Sequence, residues 1–161
     1  MAIRESTAED VEAIARVARA SWEADYPDIL SRETAAEGVE AWYAPEQLER
    51  EIESENALVP VVEIEAEIVG FAHAVTDEQG GTILRLYVAP EHRRDGVGGD
   101  LLEHTRSALA ERGAERVRAM VFADNDLGNE FYRRFGFEPE RESETEIGGE
   151  TYRETVYVAD A

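Results

Sequence analysis

The sequence predicts an α+β chain: a single mixed, mostly antiparallel central sheet of about seven strands, flanked by about four or five helices. Three observations carry this expectation. Apolar residues alternate between a period of two and a helical period many times along the chain. Several neighbouring β-type runs are joined by turns of only a few residues, which suits antiparallel pairing. No linker, repeat or low-complexity stretch interrupts the 161 residues, so 1–161 reads as one domain with enough chain for a sizeable core.

Ile3-Arg4-Glu5 is a short first strand. Thr7-x-x-Asp10 approximates a capping box ahead of Val11, Ile14, Ala15, Val17 and Ala18, which share a helical face. Trp22, Tyr26 and Pro27 interrupt a stretch of low apolar content. A second helix is expected over about Ser31 to Trp42, and Pro45, at an N1 position, opens a third with Leu48 and Ile52 inward. Leu58 to Ile64 is a strand, Glu65 to Glu67 a tight turn and Ile68 to Val75 the returning strand. Asp77 to Gly81 turns the chain into the strand Ile83 to Val88, which Pro90 stops. The next helix runs from about Gly98 to Arg112 and ends at Gly113, with Val97, Leu101, Leu102, Thr105, Ala108 and Leu109 on one face. Arg116 to Phe122 is a strand. Asp124-Asn125-Asp126 caps a helix carrying Leu127, Phe131, Tyr132 and Phe135, which Gly136 ends. Phe137 to Glu146 and Glu150 to Val158 form a hairpin about Gly148-Gly149.

Composition excludes several chemistries. Without cysteine there are no disulfides, thiolate metal sites or cysteine nucleophiles, and no metal is expected. No apolar run approaches membrane-spanning length and MAIRESTAED is no signal peptide, so a soluble, cytoplasmic protein without a membrane partner is expected. Acidic residues number 37 against 16 basic ones, and every basic residue is arginine. The acids are spread along the whole chain. Excess carboxylate with no lysine points to work in concentrated salt, where hydrated carboxylates keep the protein soluble and self-repulsion is screened. An acidic face for a polycationic partner is the rival explanation. A nucleic-acid partner is disfavoured by the same charge, and a homodimer stays open.

The stretch most informative for function is ILRLYVAPEHRRDGVGGDLL, from Ile83 to Leu102. A strand, a turn rich in glycine (Gly96, Gly98, Gly99) and a helix start make an anion site. The first helical N–H groups lack partners, the dipole favours negative charge, and glycine admits a phosphate close to the backbone. Arg93 and Arg94 at the mouth of the turn can add charge-assisted hydrogen bonds. A pyrophosphate is the expected ligand; a glycine turn without any ligand is the alternative. A Walker loop would need lysine and serine or threonine after the glycines. The dinucleotide fingerprint would need a third glycine where Leu101 stands.

What fits is R-x-x-G-x-G, at Arg93, Gly96 and Gly98, after a strand ending Val88-Ala89-Pro90. It resembles the acyl-CoA-binding motif of the GNAT family of N-acetyltransferases. A second stretch, Asn125 to Phe137 (NDLGNEFYRRFGF), is similar to that family's N-x-x-A-x-x-F-Y-x-x-x-G-F signature. Gly128 stands at the alanine position, a departure that weakens the helix by about 1 kcal/mol. With both motifs in order, the resemblance covers essentially the whole chain.

The resemblance implies a GNAT acyl-CoA N-acyltransferase fold whose sheet splays beside the strand ending at Val88. Acetyl-CoA would lie in that cleft as co-substrate. Backbone groups of Leu86, Tyr87 and Val88 would hold its pantetheine arm. N–H groups along Arg93, Arg94, Asp95, Gly96, Val97 and Gly98 would hold its pyrophosphate. Asn125 would hydrogen-bond the arm, and Tyr132 would act as the acid that protonates the departing thiolate, since a thiol of pKa about 8.5 leaves more easily when a hydroxyl stabilises its anion. Asp95 departs from the usual pattern, and its carboxylate is unfavourable there unless it points to solvent or pairs with Arg93 or Arg94. The reaction implied is acetyl transfer to a primary amine of a small molecule or protein N-terminus, by direct attack through a tetrahedral intermediate. A non-catalytic acyl-CoA sensor is the other reading.

An amine of pKa about 10.4 must lose a proton near pH 7 before it can attack, so a base is expected. Many relatives use a glutamate near the start of the central strand, where this chain has Thr82 or Ile83. His73, Asp124, Glu63 and Glu65 remain as candidates, or a water chain. Trp22, Tyr26, Trp42 and Tyr43 fall where the family shapes its acceptor pocket, though ordinary core packing would account for them equally.

Overall fold

A computed structural model describes residues 1–25, 43–78, 80–93, 96–147 and 149–161. The helix expected over about Ser31 to Trp42, together with Tyr26, Pro27, Arg94, Asp95 and Gly148, lies outside the described residues. The described strands are β1 (Ala2–Glu5), β2 (Ala57–Leu58), β3 (Pro60–Ile64), β4 (Glu67–Asp77), β5 (Gly80–Val88), β6 (Arg116–Phe122), β7 (Glu138–Ile147) and β8 (Glu150–Asp160). The described helices are α1 (Val11–Asp25), α2 (Pro45–Glu53), α3 (Val97–Glu111) and α4 (Asp126–Arg134). None of them is long and apolar enough to cross a membrane.

Local chemistry sets several boundaries. The capping box forms, with Asp10 accepting from the Thr7 N–H at 2.8 Å, and a single 3-10 turn (Ala8–Asp10) leads into α1. Gly96 (φ +79°) begins α3 in a left-handed conformation that a side chain would strain. The strand expected as Leu58 to Ile64 is two pieces, β2 and β3, because Pro60 has no N–H to give the ladder. The register continues across the break: Leu58 pairs with Ala74 and Val61 with Phe71 of β4.

The strands form one sheet in the order β1-β3-β4-β5-β6-β8-β7, with β2 beside β4. Its pairings are antiparallel except β5 with β6, which the α3 crossover makes parallel. On one face α1 and α2 pack Val11, Ile14, Trp22 and Leu48 against Phe71 and Phe122. On the other, α3 and α4 bury Leu102, Leu109 and Tyr132 against Ile83, Ala119 and Tyr157, and Val97 and Leu101 against Val62, Ala72 and Val88. The face expected for α3 is thus the buried one, and Thr105 is satisfied there by donating to the Leu101 carbonyl at 2.8 Å. Leu127, at the start of α4, is 55% exposed and so lies outside the core.

Candidate active site

The site begins with an extra residue in β5. His73 of β4 pairs with Arg85, but the adjacent Ala74 pairs with Ile83, so Leu84 has no counterpart and the strand bulges there. The bulge resets which side each residue faces. Ile83 packs on the α3 side, whereas Arg85 meets Glu51 and His73 on the α2 side. Parallel pairing of β5 with β6 covers Gly81–Ile83 against Val117–Ala119 and stops at the bulge. Beyond it, Leu86, Tyr87 and Val88 pair with Ala72, Phe71 and Gly70 of β4, while Met120–Phe122 pair with Val156, Thr155 and Glu154 of β8. The sheet therefore opens between β5 and β6 at the three residues to which sequence analysis gave the pantetheine arm.

The start of α3 stands beside this opening. A Cβ built on Gly98 would lie 3.3 Å from the Phe131 ring and 3.7 Å from Val88, so the helix start is wedged between the end of β5 and α4. A Cβ on Gly96 would meet nothing within 4 Å. The backbone at the turn thus has space beside it. The Asp100 N–H reaches the Gly96 carbonyl at 3.1 Å, which leaves the earlier N–H groups of Val97, Gly98 and Gly99 beyond the helical ladder and directed outward. Such a cradle suits a diphosphate. The Arg93 side chain turns back, its Nε donating to the Val88 carbonyl at 3.1 Å, and so ties the turn to the end of β5.

Tyr132 closes the other flank. It is 6% exposed, edge-on to Phe131 and Phe137 with centroids 5.2 and 5.3 Å away, and stacked on Tyr157. Burial pushes its hydroxyl well above the usual tyrosine value near 10, and neighbouring Tyr87 adds to the rise. At working pH the group keeps its proton, which suits a donor and excludes a base. Tyr87 in turn accepts from the Trp22 indole N–H at 3.0 Å.

Asn125 has a structural duty besides any ligand contact. It is the N-cap of α4, its Oδ1 accepting from the Gly128 N–H at 3.1 Å, so its amide NH2 is the end with donors for a ligand. Gly128 itself is more than a weakened helix position. A Cβ there would lie 2.8 Å from Asn125 Nδ2 and 2.9 Å from Val121 Cγ1, so glycine lets the cap and β6 approach. Gly128→Ala is therefore expected to lower stability by about 1–2 kcal/mol through overpacking, against the gain that helix propensity alone would give. Thermal unfolding of the two proteins checks the sign.

Sequence analysis missed Asn129, which is 7% exposed. Its amide donates to the carbonyls of Asn125 (2.7 Å) and Phe122 (3.0 Å), and its Oδ1 accepts from the Tyr157 hydroxyl at 2.5 Å. It fastens α4 to the end of β6 and to β8, and so holds Tyr132 in place. A polar residue one turn after the cap, within a helix of strong apolar pattern, was the available signal.

The acceptor-side candidates separate clearly. Glu63 is bound to Arg4 at 2.7 Å at the β1 edge of the sheet, and Glu65 sits in the β3–β4 turn at φ +53°. Asp124 lines a cleft of about 490 Å³ with Asp126, Glu130 and Arg133, a stripe of α4 other than the one carrying Tyr132. His73 lies near the opening but is spoken for. An arginine N–H can only donate, so the 2.8 Å contact from Arg85 makes Nδ1 the acceptor and puts the proton on Nε2. Burial first, and Arg85 in addition, hold its pKa down, while Glu51 opposes them. Trp22 and Tyr43 are core: both are at most 2% exposed, with ring centroids 6.0 Å apart, and Tyr43 also meets Phe71 and Tyr87 edge-on.

A sheet opened behind a bulge, with a phosphate-shaped helix start on one flank and a buried hydroxyl on the other, defines an acyl-CoA-dependent acyltransferase. Residues 30–152 match the family described as Acetyltransferase (GNAT) domain, and the chain belongs to that family. It is accordingly an N-acetyltransferase with acetyl-CoA as acyl donor. It is 28% identical, over 86% of its length and 88% of the relative's, to a spermidine N(1)-acetyltransferase of Thermoplasma acidophilum. Among solved structures it resembles the PaiA N-acetyltransferase of Thermoplasma acidophilum in complex with coenzyme A (TM-score 0.88, 26% identity, 99% and 98% of the two chains). A GCN5-related N-acetyltransferase from Rhodopseudomonas palustris shares the fold at a TM-score of 0.85 and 23% identity, over 99% of this chain and 95% of that one.

Proposed function

We propose that the enzyme acetylates a primary amino group of a small polyamine-like cation, with Tyr132 as the acid and the Gly96–Gly98 turn as the pyrophosphate cradle. The observation that carries this reading is the opening of the sheet at Leu86–Val88, flanked by that turn and by the buried Tyr132 hydroxyl. Backbone groups of Leu86 to Val88 hold the pantetheine arm as a neighbouring strand would, N–H groups of Val97 and Gly98 hold the pyrophosphate with Arg93 beside them, and the Asn125 amide steadies the arm. Without a cysteine nucleophile the amine attacks the thioester directly and the tetrahedral intermediate expels the thiolate. Support for the acceptor class comes from the spermidine-acetylating relative and from a net charge of −21, which favours a cation over an anion. The chain has no lysine, so none of its own side chains competes as an acceptor. A thiol-release assay in molar KCl with spermidine, an aminoglycoside and a peptide N-terminus tests this. Spermidine is expected to have the highest kcat/KM; preference for the peptide would contradict the proposal.

The acidic, lysine-free composition also supports a cytoplasmic enzyme adapted to concentrated salt. At about 1 M salt the Debye length is about 3 Å, so carboxylate repulsion is screened both within the fold and toward anionic acetyl-CoA. The melting temperature is expected to rise by about 10 °C between low and molar KCl, at roughly 2–4 °C per kcal/mol for a chain of this size. A flat profile would contradict salt adaptation.

A further inference from the structure

We propose that Glu154 is the catalytic base that takes the proton from the acceptor amine, an assignment that rests on the acetyltransferase reading above. Glu154 pairs with Phe122 of β6 and Ser143 of β7, on the bank of the opening that faces β5. Residues two apart on a strand share a side of the sheet. Tyr152, two residues earlier, packs into the α1–α2 face beside Phe122, with ring centroids 6.0 Å apart. Glu154 therefore presents its carboxylate on that face.

On the opposite face the opening is flanked by the α3 start and α4, the elements given to the cofactor, with Gly98 beside Val88 and Phe131. An amine must therefore approach from the side of Glu154. Among the described residues, the groups turned toward the carboxylate are Arg85 of β5, with Glu51 of α2 and His73 of β4 behind it, and the Thr145 hydroxyl of β7, which hydrogen-bonds to it. Half-burial outweighs Arg85 and Thr145, so the carboxyl is held above its ordinary range and its proton affinity is raised. Each other acid considered lies elsewhere: Glu63 is bound by Arg4 and Glu51 by Arg85, Glu65 sits in the β3–β4 turn, and Asp124 lines the outer cleft.

In the step proposed, the bound ammonium gives one proton to the Glu154 carboxylate, and the neutral nitrogen forms the C–N bond to the thioester carbon. As the C–S bond breaks, Tyr132 protonates the sulfur, and a second proton from nitrogen restores the tyrosine. Glu154 returns its proton to water, so amide, thiol and one proton leave the site.

Glu154→Gln keeps the shape and removes the base. With spermidine as probe, kcat/KM near pH 7 is expected to fall about a hundredfold or more, with KM for acetyl-CoA and the melting temperature unchanged. The deficit should shrink as pH approaches about 10, where the amine is already neutral. Glu154→Asp should recover part of the rate. A ratio to wild type that is constant across pH, or no loss, overturns the role of Glu154. A wild-type enzyme that binds acetyl-CoA and releases no thiol with any amine overturns the acetyltransferase reading as well.

Discussion

Replacing Tyr132 by phenylalanine is expected to lower turnover about a hundredfold or more while leaving acetyl-CoA affinity nearly unchanged. The ring supplies packing against Phe131, Phe137 and Tyr157, and phenylalanine keeps that packing, so the fold should survive. What is lost is one O–H whose proton burial holds firmly. That proton is needed only as the thiolate departs, so its loss should register in kcat and not in ground-state binding. Comparing kcat with the Kd for acetyl-CoA separates the two. Equal turnover in both proteins would remove Tyr132 from the mechanism.

The second large effect is expected at the turn. Gly98→Asp should abolish acetyl-CoA binding, a loss of at least about a hundredfold, because its carboxylate would compete with the diphosphate for the same N–H groups. The structure adds a control. Any Cβ at this position lies 3.3 Å from the Phe131 ring, so part of the effect is steric. Gly98→Ala carries the same Cβ without the charge and should weaken binding much less. The helix dipole favours an acidic residue in the first turn, so the aspartate itself should not unwind α3. Calorimetric titration of both variants makes the comparison, and equal affinities for the two would refute an electrostatic cradle.

Much of this architecture was legible because punctuation and pattern agreed locally. Gly113 and Gly136 both adopt the positive φ that their places just past helix C-termini call for. Five apolar or small residues of α3 fall on one buried stripe as their spacing predicts. The β-bulge was not legible, since neither Leu84 nor its neighbours Ile83 and Arg85 is a glycine or proline, and register is decided by pairing with β4. Yet it creates the opening. Glu154 was obscured for a different reason: in a chain with 37 acidic residues, one more glutamate looks like surface. Its place two residues after Tyr152 and two before Val156, on a strand whose alternate residues turn inward, was the available sign. His73 had the right chemistry by type, but its Nδ1 contact with Arg85 could come only from the fold.

The most direct test of the account is a crystal structure of the protein with coenzyme A grown in molar KCl. The cofactor's pyrophosphate should lie on the N–H groups of Val97 and Gly98, its pantetheine amide should pair with the backbone between Leu86 and Val88, and its sulfur should fall within hydrogen-bonding reach of the Tyr132 hydroxyl. Coenzyme A bound in the acidic cleft beside Asp124, or with its sulfur away from the gap between β5 and β6, would contradict it.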